Sequence, residues 1–392
     1  MLNYILLVMA KKILFVASVN PFGRGGGSQA THAYLDGALE VYGRKNVVLM
    51  IVDEVSIPVN YKDINIIKVH IRSLSSRCVG YLRGYMSRFT EPLMKYLSDN
   101  KENFSICIIN GSLTGGKAIP YINSLGIKTV VIYHNYELEY HRDNHSLESL
   151  KGHYFGMIKK LEGLSYREGN LNIFLTQQDQ LLFRNAYGME KGKSYVVGAF
   201  DFKDKEVENL SAITKDFDIS VSGSLANYQT TVGVMDFYDR YLSIAKRIIP
   251  NLKVLLTGRN PSQQIKELQK SGNVVFSIIA NPDDILSVVQ KGRIYLCPTC
   301  IGGGLKLRVM DGLKCGLPVL VHKISARGYD AFFNKPYFQI YYDESTFEAG
   351  LRLILTYLEG NPNSIEQINH DYYDYFGYQR GIERFRDALN KI

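Results

Sequence analysis

Three glycines, two cations and one acid lie within ten residues in the second half of the sequence. The apolar run 292–298 is typical of a strand, and Gly302–Gly304 follow it closely. Lys306, Arg308 and Asp311 come next. Glycine lets a ligand approach the backbone, and the free N–H groups at the start of a helix attract anions. The segment therefore predicts a binding site for a diphosphate.

A helix is predicted to begin near Leu305 and to end before Gly316. Arg308 and Asp311 are then one turn apart and share a face. Arg308 would pair with phosphate, Asp311 would accept hydrogen bonds from sugar hydroxyls, and Lys306 would reach the same phosphate from the loop. The alternative is a glycine-rich turn followed by a solvated helix start.

A second glycine loop follows the first predicted strand, 12–18. Gly25, Gly26 and Gly27 precede Ser28, which we predict to be the N-cap of the next helix. The pattern leaves two alternatives open, a loop that contacts a ligand and an ordinary flexible connection.

His134 ends the predicted strand 128–134, and the carboxyl ends of parallel strands are where sites form. A histidine directed into a cleft would bind a hydroxyl of the donor sugar or stabilise developing positive charge with its neutral ring. The alternative is a structural histidine. His141 and His145 have the spacing of a metal pair, but no third ligand is evident.

The elements that must position these residues alternate along the chain. Near-continuous Val, Ile and Leu runs are typical of strands buried on both faces of a parallel sheet, and amphipathic helical patterns separate them. The series restarts after the polar stretch 201–216, which we interpret as an interdomain linker. Two doubly wound, Rossmann-like α/β domains facing a central cleft are therefore predicted. The predicted strands are 12–18, 47–53, 64–70, 105–110, 128–134, 171–176, 215–224, 252–258, 273–278, 292–298 and 317–322.

The length of 392 residues also favours two domains. We place them at 1–205 and 206–368, with 369–392 as a helix that crosses back to the first.

The formal net charge of +8 is diffuse, which argues against a nucleic-acid partner. No apolar segment reaches the ~20 residues that a membrane span requires. The stretch 72–97 mixes basic residues with Tyr and Leu, so it is either a peripheral membrane contact or an ordinary exposed face.

Cysteine usage points to a reducing compartment. Cys297 and Cys300 form a CxxC pair, but a structural zinc needs four ligands and no second pair matches it. We therefore expect reduced, buried thiols, a cytoplasmic location and no metal site.

The glycine-rich segment resembles the donor-binding signature of the family 4 glycosyltransferases, which have the GT-B fold. It is similar to the subgroup with P-x-x-x-G-G-G-[IL]-[KR]-x-K-x-x-E followed by G-x-P-V. Stretches 220–238 and 249–262 support the resemblance, and 11–30 and 130–140 extend it more weakly into the first domain. The matching residues are Pro298, Gly302, Gly303, Gly304, Leu305, Lys306, Arg308, Asp311, Gly316, Pro318 and Val319.

The chain departs from the family pattern at three places. The broader family has E-x7-E here, but Gly303 stands at the first acid and Asp311 at the second. Residues 217–239 contain no Lys or Arg, so the usual Arg-x4-Lys clamp is missing. Charge compensation would fall to Lys306 and Arg308, with Arg259.

The resemblance implies a retaining glycosyltransferase that moves a sugar from a nucleotide-diphosphate sugar to a saccharide or lipid-linked acceptor. It implies no metal and no cofactor beyond that co-substrate, because helix N-termini together with Lys306 and Arg308 would stabilise the departing diphosphate. The leaving phosphate itself would take the acceptor proton, so no carboxylate base is implied. The donor would lie on the second domain and the acceptor on the first. The implied residues are His134, Lys306 and Arg308 for catalysis, Gly302, Gly303, Gly304, Leu305, Asp311, Gly223, Ser224 and Arg259 for the donor, and Gly25, Gly26, Gly27 and Glu137 for the acceptor and phosphate loop.

The sequence leaves two other classes of protein open. An NAD-dependent oxidoreductase is favoured by Asp53 at the end of the second strand, but the first glycine loop does not give G-x-G-x-x-G. A non-catalytic or epimerase-type relative with the same fold is favoured by the missing glutamate and clamp.

Overall fold

Alternating strands and helices form two doubly wound units. The computed structural model describes residues 11–70, 74–144, 151–203, 213–270 and 275–392. Residues up to Lys203 form one unit together with Gly381–Ile392, and Asp204–Arg380 form the other. Part of the predicted linker 201–216 lies outside the described residues.

The first unit is built on a seven-stranded sheet with the order β3-β2-β1-β4-β5-β6-β7, and every pairing in it is parallel. The chain leaves β1 and β4 in opposite directions, so the topological switch point lies between these two strands. The strands are β1 (Lys12–Ala17), β2 (Val47–Val52), β3 (Asn65–Val69), β4 (Phe104–Asn110), β5 (Lys128–Tyr133), β6 (Leu171–Phe174) and β7 (Lys193–Val196). The helices are α1 (Gly26–Tyr42), α2 (Leu74–Leu82), α3 (Thr90–Asn100), α4 (Ser112–Gly115), α5 (Ala118–Ser124), α6 (Glu137–Asn144), α7 (Lys151–Glu168) and α8 (Gln177–Tyr187).

The second unit repeats the design with a six-stranded parallel sheet of order β10-β9-β8-β11-β12-β13. Its switch point lies between β8 and β11. The strands are β8 (Phe217–Ser224), β9 (Val254–Arg259), β10 (Phe276–Ala280), β11 (Gly292–Cys297), β12 (Val319–His322) and β13 (Phe338–Tyr341). The helices are α9 (Tyr228–Asp236), α10 (Leu242–Ile248), α11 (Gln263–Lys270), α12 (Ile285–Val289), α13 (Arg308–Lys314), α14 (Glu344–Gly360) and α15 (Ser364–Phe376), and α16 (Tyr378–Leu389) ends the chain.

The prediction of two Rossmann-like α/β domains is confirmed. The central strands are buried along nearly their whole length, which is why they read as apolar runs. Strands β7 and β13 were not predicted, because each is a four-residue edge strand with a partly polar sequence.

The tail 369–392 was predicted as one helix, but the structure breaks it at Gly377, between α15 and α16. A Cβ at Gly377 would lie 2.4 Å from the Tyr373 carbonyl oxygen, so the tight bend requires glycine. From Gly381 onward, α16 packs on the first unit. Arg384 donates to the Val197 carbonyl at 2.8 Å, and the Phe385 ring meets Tyr34 edge-on.

Two glycines pair with each other near the carboxyl ends of β8 and β9. Gly223 pairs with Gly258, and both have positive φ, +145° and +146°. A Cβ at Gly258 would lie 1.6 Å from the Gly223 carbonyl oxygen. Any side chain here would force the two strands apart.

The Gly258→Ala variant should therefore lose roughly 2–5 kcal/mol of stability in the second unit, since it adds a backbone clash to an unfavourable φ. Urea unfolding would measure this loss. The matched control is Gly360→Ala, because nothing lies near a Cβ at that position and the stability should hardly change. A Gly258→Ala protein as stable as the parent would contradict this account of the strand pair.

Candidate active site

The predicted cations of the second unit lie at the switch point between β8 and β11. Residues 298–308 leave the end of β11, while α9 starts four residues after β8. The Asn227 side chain caps α9 by accepting from the Gln229 amide N–H at 2.8 Å. The first turn of α9 is therefore fixed beside the glycine-rich segment.

Lys306 and Arg308 are both bound to that first turn. Lys306 is buried, and its Nζ donates to Gln229 Oε1 at 3.1 Å and to the Gly303 carbonyl at 2.9 Å. Arg308 Nη1 donates to Thr230 Oγ1 at 2.8 Å and lies 3.4 Å from Thr299 Oγ1. Two positive groups are thus held in defined positions at the sheet edge where parallel α/β folds bind ligands.

The helix after the glycines begins later than predicted, at Arg308 instead of Leu305. Tyr329 OH donates to the Lys306 carbonyl at 2.8 Å, and Val309 N–H donates to the same oxygen at 3.0 Å. These bonds hold the preceding residues in a turn. Lys306 therefore precedes α13, and Asp311, half-buried, lies in its first turn, one turn earlier than a helix start at Leu305 would place it.

Gly302, Gly303 and Gly304, where a diphosphate is predicted to approach the backbone, are buried. Gly302 has φ +86°, and a Cβ there would lie 2.2 Å from Gln229 Nε2. Packing against Gln229 therefore accounts for glycine at position 302 without a ligand.

The other predicted donor residues occupy the same edge of the sheet. Ser224 pairs with Arg259 in the register of β8 and β9, and both are exposed. Gly223 lies under the Arg308 guanidinium, since a Cβ there would come within 2.7 Å of Nη1. Leu305 is half-buried.

Three side chains of this network were missed by the sequence reasoning: Gln229, Thr230 and Thr299. The available signal was topological. A helix that follows the first strand of a doubly wound unit must begin beside the loop of the strand across the switch point.

The glycine loop of the first unit starts α1 differently from the prediction. Gly25 is the N-cap and α1 begins at Gly26, with the Gln29 N–H donating to the Gly25 carbonyl at 2.9 Å. Ser28 is buried within the first turn, so its predicted capping role is wrong. Gly26 and Gly27 are exposed.

His134 follows β5 and lies beside the end of β4. Its Nε2 is 2.5 Å from Asn110 Oδ1, and burial lowers the pKa of the imidazole to about 4. His134 is therefore neutral at pH 7. The second ring nitrogen of a neutral imidazole at this position can form one hydrogen bond with a sugar hydroxyl.

Glu137 begins α6 and is tied to a buried acid that the sequence reasoning missed. Its side chain lies 3.4 Å from His141 Nε2, and its N–H donates to Glu162 Oε1 at 2.9 Å. Glu162 also accepts from Ser112 Oγ at 3.2 Å and from Tyr187 OH at 2.8 Å. Burial, with the neighbouring Glu137 carboxylate, raises the pKa of Glu162 to about 8.

The remaining predicted features are the cysteines and the histidine pair. Among the described residues, no group of three or more His, Cys, Asp and Glu could hold an ion. All five cysteines are free, Cys297 buried and Cys300 half-buried. His145 lies outside the described residues.

The basic stretch 72–97 is only partly described, since residues 71–73 lie outside the described ranges. Within it, Arg83 pairs with Glu91 at 3.1 Å, and the Arg83 carbonyl accepts from Lys117. No helix in the described part of the chain is long and apolar enough to cross a bilayer.

Solved glycosyltransferase structures share the architecture of the whole chain. Sucrose-phosphate synthase from Thermosynechococcus elongatus is 12% identical, with a TM-score of 0.69 over 97% of this chain and 98% of that one. HepE from Anabaena, in complex with UDP, is 12% identical, with a TM-score of 0.67 over 97% and 100%. WaaG, a glycosyltransferase involved in lipopolysaccharide biosynthesis, is 14% identical, with a TM-score of 0.65 over 96% and 99%.

These similarities confirm the predicted GT-B fold. No protein-family model and no curated protein sequence matches the chain. At these identities the likeness shows the fold alone, so the glycine-rich subgroup stays a prediction.

Glu162 gives a testable pH dependence. Folded Glu162 holds its proton to about pH 8, whereas the unfolded carboxyl has an ordinary pKa of 4.5. Its contribution to stability is therefore complete below pH 4.5 and is lost as the pH rises to 8. The Glu162→Gln variant mimics the protonated acid and should remove this loss.

Chemical unfolding should be measured at several pH values between 4.5 and 8. Over this range the free energy of unfolding of Glu162→Gln should rise relative to that of the parent by roughly 3–5 kcal/mol. Exposed Glu102 supplies the control, since Glu102→Gln should leave the pH profile unchanged. Parallel profiles for Glu162→Gln and the parent would show that Glu162 is ionised in the folded state.

Proposed function

We propose that the protein is a retaining, metal-independent glycosyltransferase that transfers a sugar from a nucleotide-diphosphate sugar to a saccharide or lipid-linked acceptor. The observation that carries the proposal is the fixed pair Lys306 and Arg308 at the switch point of the second sheet. Three glycosyltransferases with this fold support it, and one of them binds UDP.

The donor diphosphate is assigned to the second unit. Negative charge grows on the departing diphosphate as the glycosidic bond breaks, and fixed cations stabilise this charge without reorganising. Thr230 already orients the Arg308 guanidinium, so little side-chain freedom is lost when it binds phosphate. Arg259 and Ser224, exposed at the ends of neighbouring strands, extend the same edge toward the rest of the donor.

The first unit is assigned to the acceptor. Gly25–Gly27 and His134 lie around the carboxyl ends of its central strands. In the proposed mechanism the acceptor attacks the same face that the phosphate leaves, and a phosphate oxygen takes the acceptor proton. Glu137 is assigned a contact with the acceptor or phosphate. We place the reaction in the cytoplasm, with the basic stretch 72–97 as a contact for a membrane that presents a lipid-linked acceptor.

Calorimetric titration with UDP, GDP and ADP tests the donor site. The matching nucleotide should bind the parent protein, and Arg308→Ala should weaken that binding about 10- to 100-fold because a charge-assisted hydrogen bond is lost. Lys306→Gln, which keeps a polar group in the buried position, should weaken it similarly. Arg352, on the exposed face of α14, supplies the control variant Arg352→Ala. Unchanged affinity in both site variants would refute the assignment.

The stereochemistry and metal independence need a separate measurement. Proton NMR of the product should show the anomeric configuration of the donor, and excess EDTA should leave the rate unchanged. An inverted anomer would exclude the proposed front-face mechanism, and loss of rate with EDTA would show a metal requirement.

A further inference from the structure

A hydrogen-bonded chain of three side chains runs across the switch point of the first sheet. Asn110, the last residue of β4, is buried, and its backbone pairs with Ala17 of β1. Its side chain contacts His134 Nε2 at 2.5 Å on one side and Thr31 Oγ1 at 2.6 Å on the other. Thr31 in turn contacts the carbonyl of Gly27, in the glycine loop, at 2.7 Å.

The direction of every bond in this chain is determined from its loop end. The Gly27 carbonyl can only accept, so the single Thr31 proton is donated to it. The Thr31 oxygen must then accept from Asn110, which places Asn110 Nδ2 toward Thr31 and Oδ1 toward His134. Oδ1 cannot donate, so His134 Nε2 must carry a proton.

We propose that Asn110 is a positioning residue, oriented by Thr31, that holds His134 in the Nε2–H tautomer and leaves Nδ1 as a hydrogen-bond acceptor for a sugar hydroxyl. Among the described residues, His134 Nδ1 has no hydrogen-bond partner. The tautomer follows from geometry alone, and the sugar hydroxyl as its ligand rests on the proposed function.

The hydrogen-bonded side chains also connect the two parts of the proposed acceptor side, the glycine loop and His134. The Gly27 carbonyl belongs to the first turn of α1, the helix that follows β1. His134 lies at the end of β5, which is two strands away from β1 in the sheet. Removing the Thr31 hydroxyl leaves the Asn110 amide free to turn over, so that its Nδ2 donates to His134 instead. His134 would then have to accept at Nε2 and carry its proton on Nδ1.

Long-range proton–nitrogen NMR correlation on the full-length, nitrogen-15-labelled protein at pH 7 reads the tautomer directly. The parent should show a protonated Nε2 and an unprotonated Nδ1 for His134, assigned by its loss in His134→Gln. Thr31→Val, nearly identical in volume, should convert a substantial fraction to the Nδ1–H form. Thr31→Ser keeps the hydroxyl and should retain the parent spectrum. Asn110→Leu, which removes the acceptor, should also lose the single tautomer.

The rate of sugar transfer from the donor distinguishes a positioning role of Asn110 and Thr31 from general damage to the structure. With the sugar nucleotide that the calorimetric screen selects, Thr31→Val should lower kcat/KM about 10-fold, and Thr31→Ser should restore it. Affinity for UDP, GDP or ADP should not change, since the diphosphate is assigned to the second unit.

An Nδ1–H tautomer in the parent, or an unchanged tautomer in both Thr31→Val and Asn110→Leu, would overturn the proposal. The expected tautomers with no nucleotide binding at all would leave the positioning role of Asn110 standing and remove its sugar ligand.

Discussion

The contacts of Lys306 and Arg308 with the first turn of α9 are the interaction on which the candidate site of the second unit depends. A buried ammonium group is costly unless hydrogen bonds compensate it, and here Gln229 Oε1 and the Gly303 carbonyl do so. These contacts cross the gap between β8 and β11, where the chain leaves the sheet in two directions. They hold the two cations in defined positions at the carboxyl-end edge of the sheet.

The first unit uses the same topology with different chemistry. Its switch point holds an amide, a hydroxyl and a neutral imidazole in place of cations. Burial keeps His134 uncharged and Glu162 protonated at pH 7. Neutral hydrogen-bonding groups suit an uncharged sugar, and positive groups suit a diphosphate. The division of labour between acceptor and donor that we propose therefore has a physical counterpart within each unit.

Close backbone approach recurs as the reason for glycine. Gly258 is required because its neighbour across the sheet is the Gly223 carbonyl, and Gly302 because the Gln229 side chain packs against it. The sequence alone favoured a ligand as the reason for the glycine triplet. In the structure, protein atoms supply that reason at position 302, and the chemistry that we propose for the site rests on the cations.

The sequence was sufficient for the fold class, for most of the strands and for the cations, because buried parallel strands leave long apolar runs and because Lys306 and Arg308 lie directly after one of them. It was insufficient for the partners. Gln229 and Thr230 are 77 and 78 residues from the cations they hold, and Thr31 and Asn110 are 79 residues apart. Such contacts depend on which strands become neighbours, and no local pattern records that. The start of α13 was misplaced for the same reason, since the Tyr329 hydroxyl that binds the Lys306 carbonyl is 23 residues away. The cap of α1 was misplaced locally, because the helix begins directly after Gly25 and takes Ser28 into its first turn.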